Sequence, residues 1–512
     1  MAKQPYLIPS ILFILSFMLR LSLITNGPYN VDCLNLALKA EEVITKHYLP
    51  YLYGSGYPLA ILLGAMFVSL LKIFSINDPV VAVNLMSITF GALCIPVFFL
   101  ITKKLFNGLT ALIASIILSC SPIFLSISVY GMSHTPALFF TLLSILFMLK
   151  YYNSTQIQPL IFSAICIGLT GATRLQEMVP MILPLGFICI LKHFNIDLNS
   201  SKRDIYKNIS IFLITAVLTA AVFYIPYFTS NIRQEYLYQL TKYKLTSVGF
   251  NVKEWKPEYF LSNIKELYLN FRYRSIYFLI MAFSGVGLIT VVFGLILIAK
   301  KETGIFIFLL LWILPFIVFY SMLFTTSPRF YTIILPPMII AEAYILTHLI
   351  KSPQIWAKTI GLIMFLYIFL SRFCYAYPVL LDRHKVGLLV NYSKWIAEKT
   401  EKNAYIITTD ESPFIRYYGH RKTIGRPLGY FSLNEKEINI FKQQLNKMLK
   451  ENIPVYITSN AIYVYDPKHQ FSTLLKKNYK LDYIGTKICE YWHRGIFKRL
   501  LYNNALFRIR QK

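Results

Sequence analysis

Apolar positions along this chain gather in long runs rather than in one-sided stripes. Segments near residues 6–25, 57–75, 79–101, 109–129, 135–150, 158–173, 177–191, 209–229, 275–299, 304–323, 330–350 and 356–377 are apolar through most of their length. A soluble helix would show one apolar face repeating every 3.6 residues, whereas runs of about 18–22 residues match the hydrocarbon thickness of a bilayer. The pattern therefore predicts an α-helical polytopic membrane protein. Near residue 378 it changes, and helix-like and strand-like pieces alternate: a helix near 386–401 and strands at Ala404–Thr409, Pro454–Ser459 and Ala461–Tyr465. Two domains are expected, a transmembrane domain over 1–377 and a small α/β domain over 378–512, the latter long enough for its own core.

Charge in the short loops sets the expected topology. One alternating set carries Lys103 and Lys104, Lys150, Lys192 through Lys207, Lys300 and Lys301, and Lys351 with Lys358; the other carries only Arg174 and Arg329. Lysine and arginine resist translocation, so the basic set is expected to be cytoplasmic. With the N-terminus also inside, the parity closes if one early segment does not cross. The segment 57–75 fits that role: it opens with Tyr57-Pro58, ends near Lys72, and is joined to the next run by only Ile76-Asn77-Asp78. It reads as an interfacial helix. Eleven crossings follow, with the first loop (26–78), the loop 230–274 and the tail outside. The rival count, in which 57–75 crosses and the N-terminus lies outside, stays open. The first run, Tyr6 to Ile24, is too long for a signal-peptide core and has no small-residue cleavage site after it, so it is expected to remain as an anchor.

Composition agrees with this placement. Of 512 residues 56% are hydrophobic, 16% aromatic and only 15% charged, more apolar surface than soluble cores of roughly 250–300 residues can hide. The net charge of +27 suits anionic headgroups or an anionic substrate, and no nucleic-acid module accompanies it. The seven cysteines are scattered singly, which implies neither a disulfide framework nor a metal site; Cys33, beside Asp32, reads as a small apolar filler.

Asp32 is the most informative residue. It follows the first crossing and opens a helical stretch, Asp32–Lys46, whose apolar positions suit an interfacial helix. Taken alone, it is equally a helix N-cap. Its surroundings add to it. The stretch YNVDCLNLALKAEE, then Gly56-Tyr57-Pro58-Leu59, then Lys103-Lys104-Leu105-Phe106 with a run ending in Ser121-Pro122, then Thr173-Arg174, then Ser327-Pro328-Arg329-Phe330-Tyr331 through Leu335-Pro336-Pro337, and last Asp410-Glu411-Ser412 through Tyr417-Tyr418-Gly419-His420-Arg421, resemble in order the motifs of the GT-C glycosyltransferase superfamily. The resemblance is greatest to its family 39 branch, which includes protein O-mannosyltransferases and the aminoarabinose transferase of lipid A.

That resemblance implies eleven or more crossings, interfacial helices in the first external loop, and inverting transfer of a sugar from a polyprenyl-phosphate donor to an extracytoplasmic protein, lipid or glycan. Asp32 would be the general base, and arginines would hold the lipid phosphate as charge develops on it. Arg329 and Arg174 are the candidates, with Arg20 inside the first crossing as a third; for each, a side chain snorkelling to the headgroups is the plain alternative. His134, Tyr57 and Tyr331 are accessory candidates. No cofactor is certain, and a divalent metal stays open without being indicated. The sequence departs from the family twice: Asp32-Cys33 stands where an Asp-Glu pair is common, and Tyr130-Gly131-Met132-Ser133-His134 lacks an expected acid. The rival class, a membrane transporter or flippase, usually carries short loops and mid-depth charges, unlike the long first loop and 135-residue tail here (378–512).

Overall fold

The computed structural model describes residues 7–53, 55–154, 156–196, 202–230, 232–242, 268–269, 271–321, 327–409, 411–425, 435–463, 469–491 and 500–512. The described residues of 7–24 and 36–382 form one compact unit, and those of 25–35 and 383–512 the other.

The helices run α1 (Leu7–Leu21), α2 (Val31–Lys46), α3 (Pro58–Ile73), α4 (Pro79–Leu105), α5 (Gly108–Cys120), α6 (Pro122–Ile127), α7 (His134–Tyr152), α8 (Gln158–Thr173), α9 (Leu175–Ile196), α10 (Lys202–Thr229), α11 (Arg233–Lys242), α12 (Ile276–Lys301), α13 (Thr303–Ser321), α14 (Leu335–Ile350) and α15 (Ile355–Lys385). The described residues of every expected apolar segment are mostly helical. Proline in the first turn, where no N–H is needed, marks the starts of α3, α4, α6, α8 and α14. Asp78 and Asn107 cap α4 and α5 by accepting from Val80 N and from Leu109 and Thr110 N. Among the described residues eight helical segments are long and apolar enough to cross a bilayer, and four more apolar helices, α1, α3, α5 and α8, are shorter. The segment expected at 109–129 is divided: Pro122 forbids continuation, so the chain turns at Ser121 and restarts as α6. Of the loop 230–274, residues 243–267 lie outside the described residues, as do Tyr6, Asp410 and Tyr465.

Side chains sort as a lipid solvent requires. Ile214, Val217, Leu218 and Val222 on α10, Ile289, Val292 and Phe293 on α12, and Leu362, Ile363 and Leu366 on α15 point outward. Inward faces carry small and hydroxyl residues. Ser144 of α7 meets Ser163 of α8 at 3.0 Å, and Thr141 meets Thr170 at 3.2 Å, polar contacts of the kind that join helices where no hydrophobic force does. A Cβ at Gly294 of α12 would overlap the Ala341 backbone of α14. A sealed ion pair joins two of these helices: Arg372 of α15 donates to Glu342 Oε1 of α14 at 2.5 Å, both side chains at most 1% exposed. The same Nη2 lies 3.2 Å from the Phe283 carbonyl, beside Ser284, where α12 leaves helical geometry (φ 60°, ψ 171°). The guanidinium thus serves a backbone carbonyl at a break in the helix.

The second unit carries a five-stranded sheet in the order β2-β1-β3-β5-β4. Strands β1 (Tyr405–Thr408), β2 (Lys422–Gly425) and β3 (Val455–Thr458) are parallel, and β4 (Tyr479–Tyr491) with β5 (Leu500–Gln511) forms an antiparallel pair that joins at β3. Helices α16 (Leu388–Lys399), α17 (Ser412–Tyr418), α18 (Glu435–Lys450), α19 (Ser459–Tyr463) and α20 (Gln470–Asn478) complete it. Ile407, Val455, Ile457, Leu445, Phe441, Phe471 and Ile509 make its core. Of the strand expected at 461–465, residues 461–463 are instead part of helix α19, and the other two lie outside the described residues. Thr458 Oγ1 accepts from Ala461 N at 3.3 Å and Ser459 Oγ donates to Asn504 at 2.9 Å, so local side-chain bonds turn the backbone out of the sheet. Beneath that turn the buried Glu411 carboxylate accepts from Thr408, Thr409, Asn460 and Tyr502. Burial and that carboxylate push the Tyr502 phenol well above its ordinary range, which keeps it a donor.

Removing one partner of the sealed pair strands a charge. Arg372→Met is expected to cost about 3–5 kcal/mol, seen as a lowered thermal midpoint in detergent, and the Arg372→Met/Glu342→Met double variant to regain most of it. Equal midpoints for the single variant and the wild type would show the pair to be dispensable.

Candidate functional site

Within the first unit, four separated stretches converge on Arg174. The turn 130–134 is held from α4, where Asn84 Oδ1 accepts from Gly131 N at 2.7 Å and Ser87 Oγ from Met132 N at 2.8 Å. These buried polar residues in an apolar helix place Ser133 and His134 at the start of α7. The loop before α3 is clamped from α10: Tyr227 OH lies 3.1 Å from the carbonyls of both Pro50 and Gly56, and Tyr224 OH lies 3.1 Å from that of Ser55. The clamp leaves Tyr57 left-handed (φ 53°, ψ 46°), a conformation costing an L-residue about 1–2 kcal/mol. The third stretch is the α8–α9 junction with Arg174 itself, and the fourth a 3-10 turn, Pro328–Ile334, that carries Arg329, Phe330 and Tyr331.

Arg174 is 3% exposed and Glu177 2%. Arg174 Nε donates to Glu177 Oε1 at 2.6 Å and Nη1 to Ser133 Oγ at 3.1 Å. The guanidinium carbon stands 5.6 Å from the Tyr57 ring and 5.8 Å from the Phe330 ring, and the Arg329 guanidinium carbon stands 5.5 Å from the same Phe330 ring. Gln176 donates to the Tyr57 hydroxyl at 3.1 Å. The His134 ring, 2% exposed, lies 5.9 Å from Phe330 and in the field of both guanidinium groups. Arg174 Nη2 and both His134 ring nitrogens have no hydrogen-bond partner among the described residues. Buried polar atoms left in that state usually await a ligand or water.

Other expected residues fall elsewhere. Arg20 does not snorkel: it is fully buried, with Nε on Ser128 Oγ at 2.9 Å, Nη1 on Ser16 Oγ at 2.5 Å and on Ser119 Oγ at 3.3 Å. Its donors tie α1 to the α5–α6 region. Tyr331 is buried with its hydroxyl 2.5 Å from Ser275 Oγ, and its ring meets Tyr320, which stacks on Phe330 at 5.4 Å; it supports the cluster from behind. Asp32 belongs to the second unit. It is not the N-cap of α2, because Asn30 holds that place, its Oδ1 accepting from Cys33 N at 2.9 Å. Asp32 stands in the first turn, half-buried, where the helix N-terminus favours a carboxylate; Cys33 is fully buried.

Glu177, Ser133 and Tyr320 were not among the sequence-derived candidates. Glu177 had a readable signal: it is the one acid in an otherwise apolar run and stands three residues after Arg174, a helix-adjacent spacing. Ser133 and Tyr320 carry none, because their role depends on which stretches meet.

Residues 51–235 match the family described as dolichyl-phosphate-mannose-protein mannosyltransferase. No curated protein matches the chain in sequence. In fold the chain is similar to ArnT from Cupriavidus metallidurans, solved bound to undecaprenyl phosphate, with TM-score 0.59 and 10% identity over 99% of this chain and 98% of that one. It is also similar to the oligosaccharyltransferase AglB from Archaeoglobus fulgidus, solved with an inhibitory peptide and a dolichol-phosphate (TM-score 0.59, 14% identity, 94% and 74% covered). A third likeness is to the arabinofuranosyltransferase AftD from Mycobacteria (TM-score 0.54, 12% identity, 99% and 40% covered).

Glu177→Gln removes the carboxylate that balances buried Arg174 and is expected to cost about 3 kcal/mol of stability. A thermal midpoint in detergent within one degree of wild type would mean that the pair is hydrated rather than sealed.

Proposed function

We infer that this chain, which has the GT-C glycosyltransferase fold, is a membrane glycosyltransferase that moves one sugar from a polyprenyl-phosphate donor to an acceptor hydroxyl. The observation that carries the chemistry is Arg174: a buried guanidinium whose Nε and Nη1 are fixed by Glu177 and Ser133 while Nη2 is left without a bond among the described residues. A lipid phosphate supplies the oxygen that Nη2 lacks. The fixed fork then meets the leaving group without reorganising as charge builds on it. Arg329, one ring away across Phe330, adds a second cation for the same oxygens. His134 offers two further ring nitrogens at this place. Asp32 takes the proton of the acceptor hydroxyl, so that the hydroxyl oxygen attacks the anomeric carbon as the bond to phosphate breaks. One displacement inverts that carbon.

Loop charge supports an extracytoplasmic location for this chemistry and for the α/β unit, with eleven crossings: the eight long helical segments together with α1, the α5–α6 pair and α8, while α3 lies in the interface. The acceptor is a protein, lipid or glycan. The transporter alternative draws no support from the fold likenesses.

Deleting the protein in its host and comparing surface glycans by mass spectrometry tests the activity. One glycan mass should disappear, return with the wild-type chain, and stay absent with Asp32→Asn expressed at the same level. Full restoration by Asp32→Asn would remove the base from the mechanism. Arg174→Lys, which keeps the charge but not the planar fork, is expected to weaken binding of undecaprenyl phosphate about tenfold.

A further inference from the structure

Residues 25–35, which carry Asp32, belong to one compact unit with the α/β tail. The contacts are specific. Arg383 is 2% exposed; its Nη2 donates to Tyr29 OH at 2.6 Å, and its guanidinium carbon lies 3.6 Å from the Tyr29 ring centroid. Its carbonyl accepts from Asn26 N at 3.1 Å. Thus one arginine grips the segment at two points, three residues apart, by backbone and by side chain. Two glycines close the rest of the gap. Gly27 sits at φ +77°, and a Cβ there would lie 2.7 Å from Val390 Cγ2; a Cβ at Gly387 would lie 2.8 Å from the Asn26 carbonyl oxygen. Tyr29 then precedes Asn30, the N-cap that starts α2 two residues before Asp32.

We propose that Arg383 is a positioning residue for Asp32: by clamping Asn26 and Tyr29 onto the start of the tail unit it fixes the backbone from which the base projects. This rests on the transferase reading above and extends it to the tail. A general base works only when held within hydrogen-bond reach of its proton, and displacement by about 1 Å can cost a hundredfold in rate. A buried guanidinium stacked on a ring and bonded to its hydroxyl resists that displacement more firmly than loop packing alone. The tail unit therefore fixes the base without any residue of α16 or the sheet having to touch the sugar.

The test compares transfer rate, lipid binding and backbone protection. In isolated membranes carrying the endogenous donor and acceptor, Arg383→Gln should slow glycan transfer about 10- to 100-fold, while undecaprenyl phosphate binding to the purified protein stays within about twofold, because Arg174 and Arg329 are untouched. Hydrogen–deuterium exchange should show residues 25–35 losing protection, with the protection of α4 and α7 unchanged. Gly387→Ala, which alters no charge but presses on the Asn26 carbonyl, should act in the same direction.

A covalent substitute separates anchoring from a direct catalytic role. An ideal Cβ at residue 27 lies 4.0 Å from Val390 Cβ, a separation that disulfides span, and Val390→Cys removes the methyl group that would collide. In an Arg383→Gln, Cys374→Ser background, the Gly27→Cys/Val390→Cys pair should regain transfer when oxidised and lose it when reduced. Retained transfer and retained protection in Arg383→Gln would overturn the anchor, as would a bridge that forms, restores protection and leaves the rate low. Full transfer by Asp32→Asn would instead strike the transferase reading, and the exchange measurement would still decide the anchor because it needs no turnover.

Discussion

A charge at membrane depth has to bring its own partner, and much of this structure follows from that constraint. Unpaired ions in hydrocarbon cost several kcal/mol, so each buried arginine of the membrane unit is met by named groups. Arg372 has Glu342 and a carbonyl at the break in α12. Arg20 has three serines. Arg174 has Glu177 and Ser133. In the first two the partners fix helix against helix. The third differs because one nitrogen of its fork is left over beside a second arginine and a histidine.

Arg20 places its donors on Ser16, Ser119 and Ser128. Arg174 is held by Glu177 and Ser133 while Nη2 has no hydrogen-bond partner among the described residues, and Glu177 compensates its buried charge. Phe330 and Tyr57 confine the guanidinium from two faces, which limits water and strengthens every charge interaction inside.

Asp32 stands on a segment that Arg383 grips through Tyr29, within the α/β unit. The missing second acid in Asp32-Cys33 fits this geometry, since the side chain at position 33 is fully buried, a place where a carboxylate would need a partner of its own.

Membrane insertion is a property of windows of about 20 residues, so the helical segments were legible in the sequence alone, and strands at 404–409 and 454–459 were too, though not their parallel pairing. The sequence also marked Asp32, Arg174 and Arg329, because a charge among apolar neighbours is conspicuous. The antiparallel pair β4–β5 was not read from the sequence, and 461–463 was misread as strand because Thr458 and Ser459 bond locally and turn the chain. Only the tertiary structure decided that Arg20 faces inward, that Asn30 rather than Asp32 caps α2, and that Ser133, Glu177 and Phe330 surround one guanidinium. Those outcomes depend on contacts between residues as far apart in the chain as 41 for Ser133–Arg174 and 354 for Tyr29–Arg383, and composition and periodicity carry no information over such separations.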